Sequence, residues 1–195
     1  MFGVAIGTSQ VIIMYAEYMF GWGNVESSIF ISIINTVRVF NLFLVLPIVT
    51  RFFTKQSRRA WAIPGSTKLD IVIIRLSVFL DLLGYIGYAS AVHGSFMILS
   101  GIIAAFGGMG SPTLQSSLTK HVPADRVGQM LGATGLLHAL ARIAAPTVLN
   151  LLYSLTVGKF TPTIFVCLAS VFGAALFLSF FIKPHVGFDD SQDDE

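Results

Sequence analysis

The chain contains six apolar stretches, each about as long as a lipid bilayer is thick. About 20 mostly apolar residues in a helix, at about 1.5 Å rise each, cross a hydrocarbon core roughly 30 Å thick. The six predicted spans, lettered A to F in chain order, lie at about 2–20, 27–49, 70–90, 95–118, 128–153 and 162–182. These stretches are too long for strands and lack the alternation of a barrel. The sequence therefore predicts an all-α membrane protein with a six-helix transmembrane domain over residues 1–182.

The composition agrees with lipid as the solvent. Hydrophobic residues make up 54% of the 195 residues and charged residues 11%, against about one quarter charged residues in globular proteins. The basic residues form no stripe, so no nucleic-acid partner is predicted. No metal site and no cofactor is predicted either. Cys167 is a single cysteine, so an internal disulfide is excluded. Met1 leads directly into span A without a basic segment, and we expect no cleavable signal peptide.

The distribution of Lys and Arg predicts the orientation in the membrane. Eight of the twelve lie in the B–C loop, the D–E loop and the C-terminal tail, whereas the A–B, C–D and E–F loops hold only Lys159. By the positive-inside rule, the side of the membrane that holds these eight basic residues is cytoplasmic, and both termini lie on that side. The candidate cytoplasmic loop residues are Arg58, Arg59, Asp125 and Arg126. Residues 183–195 are predicted to be an acidic, disordered cytoplasmic tail.

Three charged residues lie inside the predicted spans at a common depth. Arg38, Asp81 and Arg142 are each roughly 14–17 Å from the outer surface, near the bilayer midplane. A charge at this depth is costly unless it faces protein or water, so such residues are functional candidates. We predict an intramembrane charge pair of Arg38 and Asp81. Two interpretations stay open: a structural clamp between helices, with Arg142 as another partner for Asp81, or contact with a substrate or ion.

Polar residues recur at helical spacing along three spans. The members are Ser28, Ser32, Asn35, Arg38 and Asn41 on B, Ser77, Asp81, Tyr85 and Tyr88 on C, and Thr134, His138, Arg142 and Asn150 on E. A polar stripe in lipid lines a cavity or a helix contact. The candidate substrate or ion pathway comprises Asn35, Arg38, Asn41, His138 and Arg142. His138 is either a proton carrier or a packed hydrogen-bond donor.

Glycines mark spans A and D as closely packed or kinked helices. They are Gly3 and Gly7 in A, and Gly107, Gly108 and Gly110 in D, where Pro112 follows and is predicted to kink the helix. Glycine-rich A matches D, and stripe-bearing B matches E. The sequence thus predicts two inverted three-helix repeats, A–B–C and D–E–F.

Two segments carry a resemblance to a known family. One is Tyr18–Pro47, which contains SIFISIINTVRVFNLFLVLP. The other is Gly107–Pro146, with a small residue before Pro112, then Asp125-Arg-x-Gly128, Gly132 and Pro146. These segments resemble helices seven and eight, and helices ten and eleven, of the major facilitator superfamily, in its fungal-type, tetracycline- and multidrug-antiporter-like branch. The resemblance covers nearly the whole chain.

The resemblance implies a C-terminal six-helix half of a secondary transporter, which moves a small solute by alternating access and in this branch as proton-coupled efflux. Its partners would be the lipid bilayer, a small-molecule substrate and an N-terminal six-helix half, which this sequence lacks. The family's Gly-x-x-x-Asp-Arg-x-Gly-Arg-Arg-like loop motif is reduced here to Arg58-Arg59 within Leu46–Trp61. The resemblance therefore does not extend to a gating latch in that loop.

Other classes fit less well. A voltage-gated channel needs arginine at every third position of one span and a pore loop, and a mitochondrial carrier needs three Pro-x-acid-x-x-basic repeats. The chain has neither pattern. An intramembrane serine protease would pair Ser111 with His138, but Pro112 beside Ser111 departs from a Gly-x-Ser-Gly nucleophile site. A non-transporting membrane fragment or scaffold is the remaining alternative.

Overall fold

The computed structural model describes residues 8–48, 51, 68–120, 122, 123, 125–158 and 161–181. All regular structure within these ranges is helical, which confirms the predicted all-α class. Gly3, Gly7, the Arg58–Arg59 pair and the predicted tail at 183–195 lie outside the described residues.

Seven α-helices are present in the described ranges, and a π-helical turn extends the second of them. They are α1 (Ser9–Phe20), α2 (Asn24–Phe40) with the π turn Asn41–Val45, α3 (Lys68–Ala89), α4 (Gly94–Gly107), α5 (Gly110–Thr119), α6 (Val127–Thr156) and α7 (Thr163–Ser179). Helices α1, α2 and α3 lie in spans A, B and C, α4 and α5 together in D, α6 in E and α7 in F.

Four helical stretches are long and apolar enough to cross a membrane. They are Asn24–Ile48, Asp70–Ala89, Gly94–Thr119 and Val127–Thr156. Helix α7 is also apolar but is shorter than these four stretches, with 17 residues. The observed bounds agree with spans B to F to within about three residues, while the number of membrane crossings stays a prediction.

A tight turn joins α1 to α2. Gly21 ends α1 in the left-handed region, with φ of 63°, and its N–H donates to the Glu17 carbonyl. A side chain is strained in this conformation, so glycine is the residue that fits. The N–H of Gly23 donates to Glu26 Oε2 at 3.0 Å and so caps the start of α2. Between them, Trp22 packs edge-on against Phe30 and fills the space beside Gly94.

Span D is interrupted between α4 and α5. The N–H of Gly108 donates to Ala105 in a tightened turn, and α5 resumes with the N–H of Thr113 donating to Met109. Pro112 has no N–H to offer the carbonyl of Gly108, and its ring crowds that carbonyl. The interruption thus lies at Gly108–Met109, three to four residues before Pro112, where the sequence predicts the kink. Pro146, by contrast, lies within an uninterrupted α6.

Helix α3 is the centre of the bundle and packs mainly against α4 and α7. Small residues allow α3 and α4 to approach each other closely, because Gly84 faces Ala104 and Gly87 faces Ser100 across their contact. A chain of aromatic contacts then links α1, α3 and α7. Its rings are Tyr15, Phe165, Tyr88, Tyr85 and Phe172. Helices α1, α3, α4 and α7 therefore form one packed unit.

Two polar contacts fasten the end of this unit that is predicted to be cytoplasmic. Arg75 on α3 donates through Nη2 to the carbonyl of Ser179 at 2.9 Å, and its guanidinium lies 5.0 Å from the centre of the Phe180 ring. Carbonyls at the end of a helix lack intrahelical partners, so Arg75 caps α7. Lys120 and Asp70 form a salt bridge of 2.6 Å between the end of α5 and the start of α3.

Helices α2 and α6 join this packed unit along one side only, through Phe30 and Ile34 of α2 and Leu149 and Tyr153 of α6. Most of their large apolar side chains are exposed, including Leu136, Leu140 and Ile143 on α6. Helix α6 buries Ala145, Leu149 and Tyr153, and the Tyr153 hydroxyl donates to the Met14 carbonyl of α1 at 3.3 Å. A large part of each of these two helices is thus uncovered among the described residues.

Candidate functional site

Five residues from three helices meet where span D is interrupted, and we call this group the junction site. It comprises Arg38 and Asn41 of α2 and its π turn, Asp81 of α3, and Gly107 and Gly108 at the break. The Asp81 side chain is 7% exposed, and its carboxylate occupies the space where a side chain at position 107 would stand. The carboxylate therefore lies directly against the backbone of the interrupted helix.

Asp81 is a buried acid without a direct partner. Among the residues that the structure describes, no hydrogen bond reaches its carboxylate and no basic nitrogen lies within 4.0 Å of it. The charge of Arg38 nevertheless acts on Asp81 through space, and the Arg38 stem passes 3.8 Å from the position of a Cβ on Gly108. The predicted pair therefore shares one site without forming a salt bridge there.

Asn41 is more deeply buried than Asp81, at 1% exposed. Its Nδ2 donates to the carbonyls of Ala105 at 3.4 Å and Phe106 at 3.1 Å. These carbonyls lie at the interruption, where regular helical hydrogen bonding ends. The amide therefore fastens α2 to the broken helix. Its Oδ1 is buried and has no hydrogen-bond partner in the described part of the chain.

The polar stripe on α2 divides into an exposed and a buried part. Ser28, Ser32, Asn35 and Arg38 are exposed, and a shallow open groove of about 670 Å³ runs along this face of the helix. Its lining alternates polar and apolar side chains: Asn24, Val25, Ser28, Ile29, Ser32, Ile33, Thr36 and Val37. Asn41 lies apart from this surface, although the sequence assigns it to the same stripe.

The candidates on α6 do not join the junction site. Arg142 is exposed and His138 half-buried, and neither makes a hydrogen bond or ion pair with any described residue. Thr134 donates to the Met130 carbonyl one turn before it, and so uses its hydroxyl within its own helix. Arg142 and His138 thus remain on an uncovered helix.

The predicted polar face of span C is buried rather than exposed. Ser77, Asp81, Tyr85 and Tyr88 are all at most 7% exposed. The side chain of Tyr85 interacts with that of Thr8, the residue before α1, whereas Ser77 Oγ has no partner among described residues. This face is therefore a helix contact, which is one of the two outcomes that a polar stripe in lipid allows.

Sequence reasoning missed the amide bonds of Asn41 and the role of Arg75. No local residue marks the first, because Pro112 removes the donor for the carbonyl of Gly108, whereas Asn41 binds the carbonyls of Ala105 and Phe106. No local pattern marks Arg75, whose partners at Ser179 and Phe180 lie more than 100 residues away in sequence. Asp125 and Arg126, the predicted loop residues, are exposed, and the nearest charged atoms of the two are 3.7 Å apart.

The protease hypothesis gains nothing from the structure. Ser111 lies in the first turn of α5 and His138 in the middle of α6. No hydrogen bond between these two side chains is present in the described ranges.

Comparisons with known proteins point to transporters. The chain is 34% identical over 184 residues to the MFS-type transporter avaJ of Aspergillus versicolor, a match that covers 91% of this chain and 35% of that protein. It is 30% identical over 176 residues to an uncharacterized membrane protein of Saccharomyces cerevisiae, over 88% of this chain and 31% of that protein.

A third relative is the tetracycline resistance protein, class C, of Escherichia coli. It is 34% identical over 98 residues, or 50% of this chain and 24% of that protein. The chain thus spans about a third of the length of the first two relatives. No protein-family model matches it, and no solved structure does.

Proposed function

The chain belongs to the major facilitator superfamily and is a multi-pass membrane protein, and on that premise we propose that it is the C-terminal six-helix half of a secondary transporter. Spans A to F would each cross the membrane, with both termini in the cytoplasm. The two inverted three-helix repeats are part of the same proposal.

The observation that carries the proposal is the exposure of Arg38 and Arg142. Both are deep in their helices, and neither has a partner among the described residues. Charges at this depth are stable only against water or protein. We infer that the uncovered faces of α2 and α6 line a water-filled cavity between this half and a second one.

The second half would be an N-terminal six-helix unit. The first two relatives are about three times as long as this chain, which leaves room for such a unit. Substrate would bind between the halves and move by alternating access as they rock. Arg38, Asn35, His138 and Arg142 would face the cavity, with Arg38 as the main contact for polar or anionic groups of the substrate.

Asp81 supports a mechanism in which transport is coupled to the movement of a proton. A buried carboxylate without a salt-bridge partner is costly when charged, so it is suited to binding and releasing a proton during the cycle. One relative is named for tetracycline resistance, and the groove on α2 mixes polar and apolar residues. The name and the groove support a small amphiphilic solute as the substrate, and with Asp81 as the proton site we propose proton-coupled efflux.

Water access to the α2 stripe tests this proposal. Ser32→Cys, in a Cys167→Ser background, is compared with Val166→Cys on α7, another exposed position. The chain is co-expressed with the part of the A. versicolor transporter that it does not match. A membrane-impermeant thiol reagent should label Ser32→Cys and leave Val166→Cys unlabelled. Equal labelling of both, or of neither, would contradict a water-filled cavity on α2.

Transport by the chain alone provides the second test. Residues 1–195 in liposomes should show no tetracycline uptake driven by a pH gradient, because one wall of the cavity is missing. Saturable uptake by the purified six-helix monomer would refute the half-transporter proposal.

A further inference from the structure

Two buried hydrogen-bond acceptors lie against the same turn of the interrupted helix. Asn41 Oδ1 has no donor among the described residues, and its amide is bonded to Ala105 and Phe106. The Asp81 carboxylate lies against Gly107, the next residue of that turn. An unpaired buried acceptor loses its hydrogen bonds to water without replacement, so this site lacks at least one donor.

The orientation of the Asn41 amide follows from its partners. The backbone oxygens of Ala105 and Phe106 are acceptors and cannot donate. The amide must therefore present Nδ2 to them, and the two bonds hold Oδ1 in a fixed direction away from them. An exchange of the two amide atoms would leave three oxygens facing one another.

Few groups near Asp81 could supply the missing donor. Arg38 is the charged residue that acts on it from α2, but the Arg38 side chain is exposed and makes no hydrogen bond in the described structure. On α3 itself, Tyr85 interacts with Thr8, the residue before α1, and Tyr88 is one turn further along. The Ser77 hydroxyl, one turn before Asp81, makes no hydrogen bond to it.

The other helices packed against this region offer no further charge. Helices α4 and α5 have no titratable side chain, and α7 has only Cys167, which is exposed. On α1 the charged residue is Glu17, also exposed. A proton on Asp81 itself is therefore the simplest donor for both acceptors, because one O–H bond removes the charge of the acid and satisfies the amide oxygen.

We propose that Asn41 is a positioning residue that accepts a hydrogen bond from the protonated carboxyl of Asp81. The use of this hydrogen bond in transport rests on the proposed function. In the binding step, a proton from water forms an O–H bond at one carboxylate oxygen, and that O–H donates to Asn41 Oδ1. In the release step the proton returns to water, and the amide oxygen loses its donor.

This arrangement connects protonation to helix packing. The same amide that receives the O–H holds the Ala105 and Phe106 carbonyls through its other end. When Asp81 is charged, Asn41 Oδ1 is an unpaired acceptor beside a carboxylate, which weakens the contact of α2 with the broken helix. The protonated state thus favours the packing that the structure shows.

Infrared difference spectroscopy tests the hydrogen bond without any transport assay. The full chain, with ¹³C-labelled aspartate, is reconstituted in liposomes and compared between acid and alkaline pH, with Asp81→Asn identifying the band of Asp81. The C=O stretch of a protonated carboxyl group lies at lower frequency when its O–H donates a hydrogen bond than when the group is free. Asn41→Leu should therefore move the band to higher frequency.

Asn41→Asp separates the proposed role from a purely structural one. Both substitutions remove the Nδ2 bonds to α4, but the aspartate keeps an oxygen beside Asp81, and two carboxyls then share a proton. The Asp81 band of the Asn41→Asp variant should therefore move to lower frequency, opposite to the shift in Asn41→Leu. Equal shifts in the two variants would show that Asn41 only fastens the helices and would overturn the proposal.

The identity of the ion is tested in the same preparation. Added NaCl at constant pH, against choline chloride, should leave the Asp81 band unchanged. Loss of the band on addition of Na⁺ would mean that a metal cation, rather than a proton, occupies the site. Because none of these spectra depends on transport, a failure here is distinct from a failure of the half-transporter proposal.

Discussion

The carboxylate of Asp81 occupies the space that a side chain at Gly107 would need. Helix α3 can therefore bring its acid against the backbone of span D only because residue 107 is glycine. The relationship places a buried acid at the interruption of that span, whose backbone Asn41 and the stem of Arg38 also approach.

We first predict that Gly107→Ala displaces the Asp81 carboxyl and destabilises the chain by about 1–3 kcal/mol, the usual cost of overpacking. Gly135→Ala on α6 is the control, because a methyl group there meets no atom within 4 Å. The control should gain up to about 1 kcal/mol from helix propensity. Thermal unfolding in detergent, followed by tryptophan fluorescence, measures both. Equal unfolding temperatures for the two variants would mean that the Asp81 carboxyl does not lie against residue 107.

Second, Arg38 and Asp81 should be coupled weakly in stability. Because no salt bridge joins them, the coupling energy of Arg38→Gln and Asp81→Asn in a double-mutant cycle should be below about 1 kcal/mol. A buried clamp would instead cost about 3–5 kcal/mol when one partner is neutralised. Unfolding of the single and double variants gives the coupling. A large value would favour the clamp interpretation left open by the sequence.

Variants of the proposed complete transporter separate binding from scaffolding. Arg38→Ala should abolish transport while the protein is still found in the membrane, because a cavity residue contributes little to folding. Full transport by the double variant Arg38→Gln with Asp81→Asn would reduce both residues to structural roles.

Third, Arg75→Gln should destabilise the chain by about 2–3 kcal/mol. It removes hydrogen bonds from a charged group to the Ser179 and Phe180 carbonyls, and the contact with the Phe180 ring. Arg126→Gln is the matched control, since Arg126 is largely exposed and should change stability by no more than about 0.5 kcal/mol. Equal effects of the two substitutions on denaturant unfolding would argue against the cap on α7.

Fourth, both ends of the chain should face the cytoplasm. Single cysteines at Ser57 and Val157, in the Cys167→Ser background, should react with impermeant reagents from opposite sides of the membrane. Val157 is preferable to its neighbour Gly158, whose φ of 83° disfavours a side chain. Labelling of both cysteines from one side would contradict the orientation inferred from the positive-inside rule.

The sequence predicts the helices well because their apolar length depends on the bilayer and not on neighbouring segments. Spans B to F agree with the observed bounds, and the buried polar face of α3 follows from helical spacing. The sequence does not predict the π turn at Asn41–Val45, nor that the Asn41 side chain turns inward while Asn35 stays exposed. These features depend on backbone carbonyls freed in another helix, which no local pattern records.

Helix α6 gives the chain a dependence on its surroundings. Thirty residues long, it bears Arg142 and is covered along little of its length. In lipid alone such a surface is costly, since a charge inside the bilayer is stable only against protein or water. The amount of the chain that persists in a cell would then be set by the supply of whatever covers α6, and not by its own rate of synthesis.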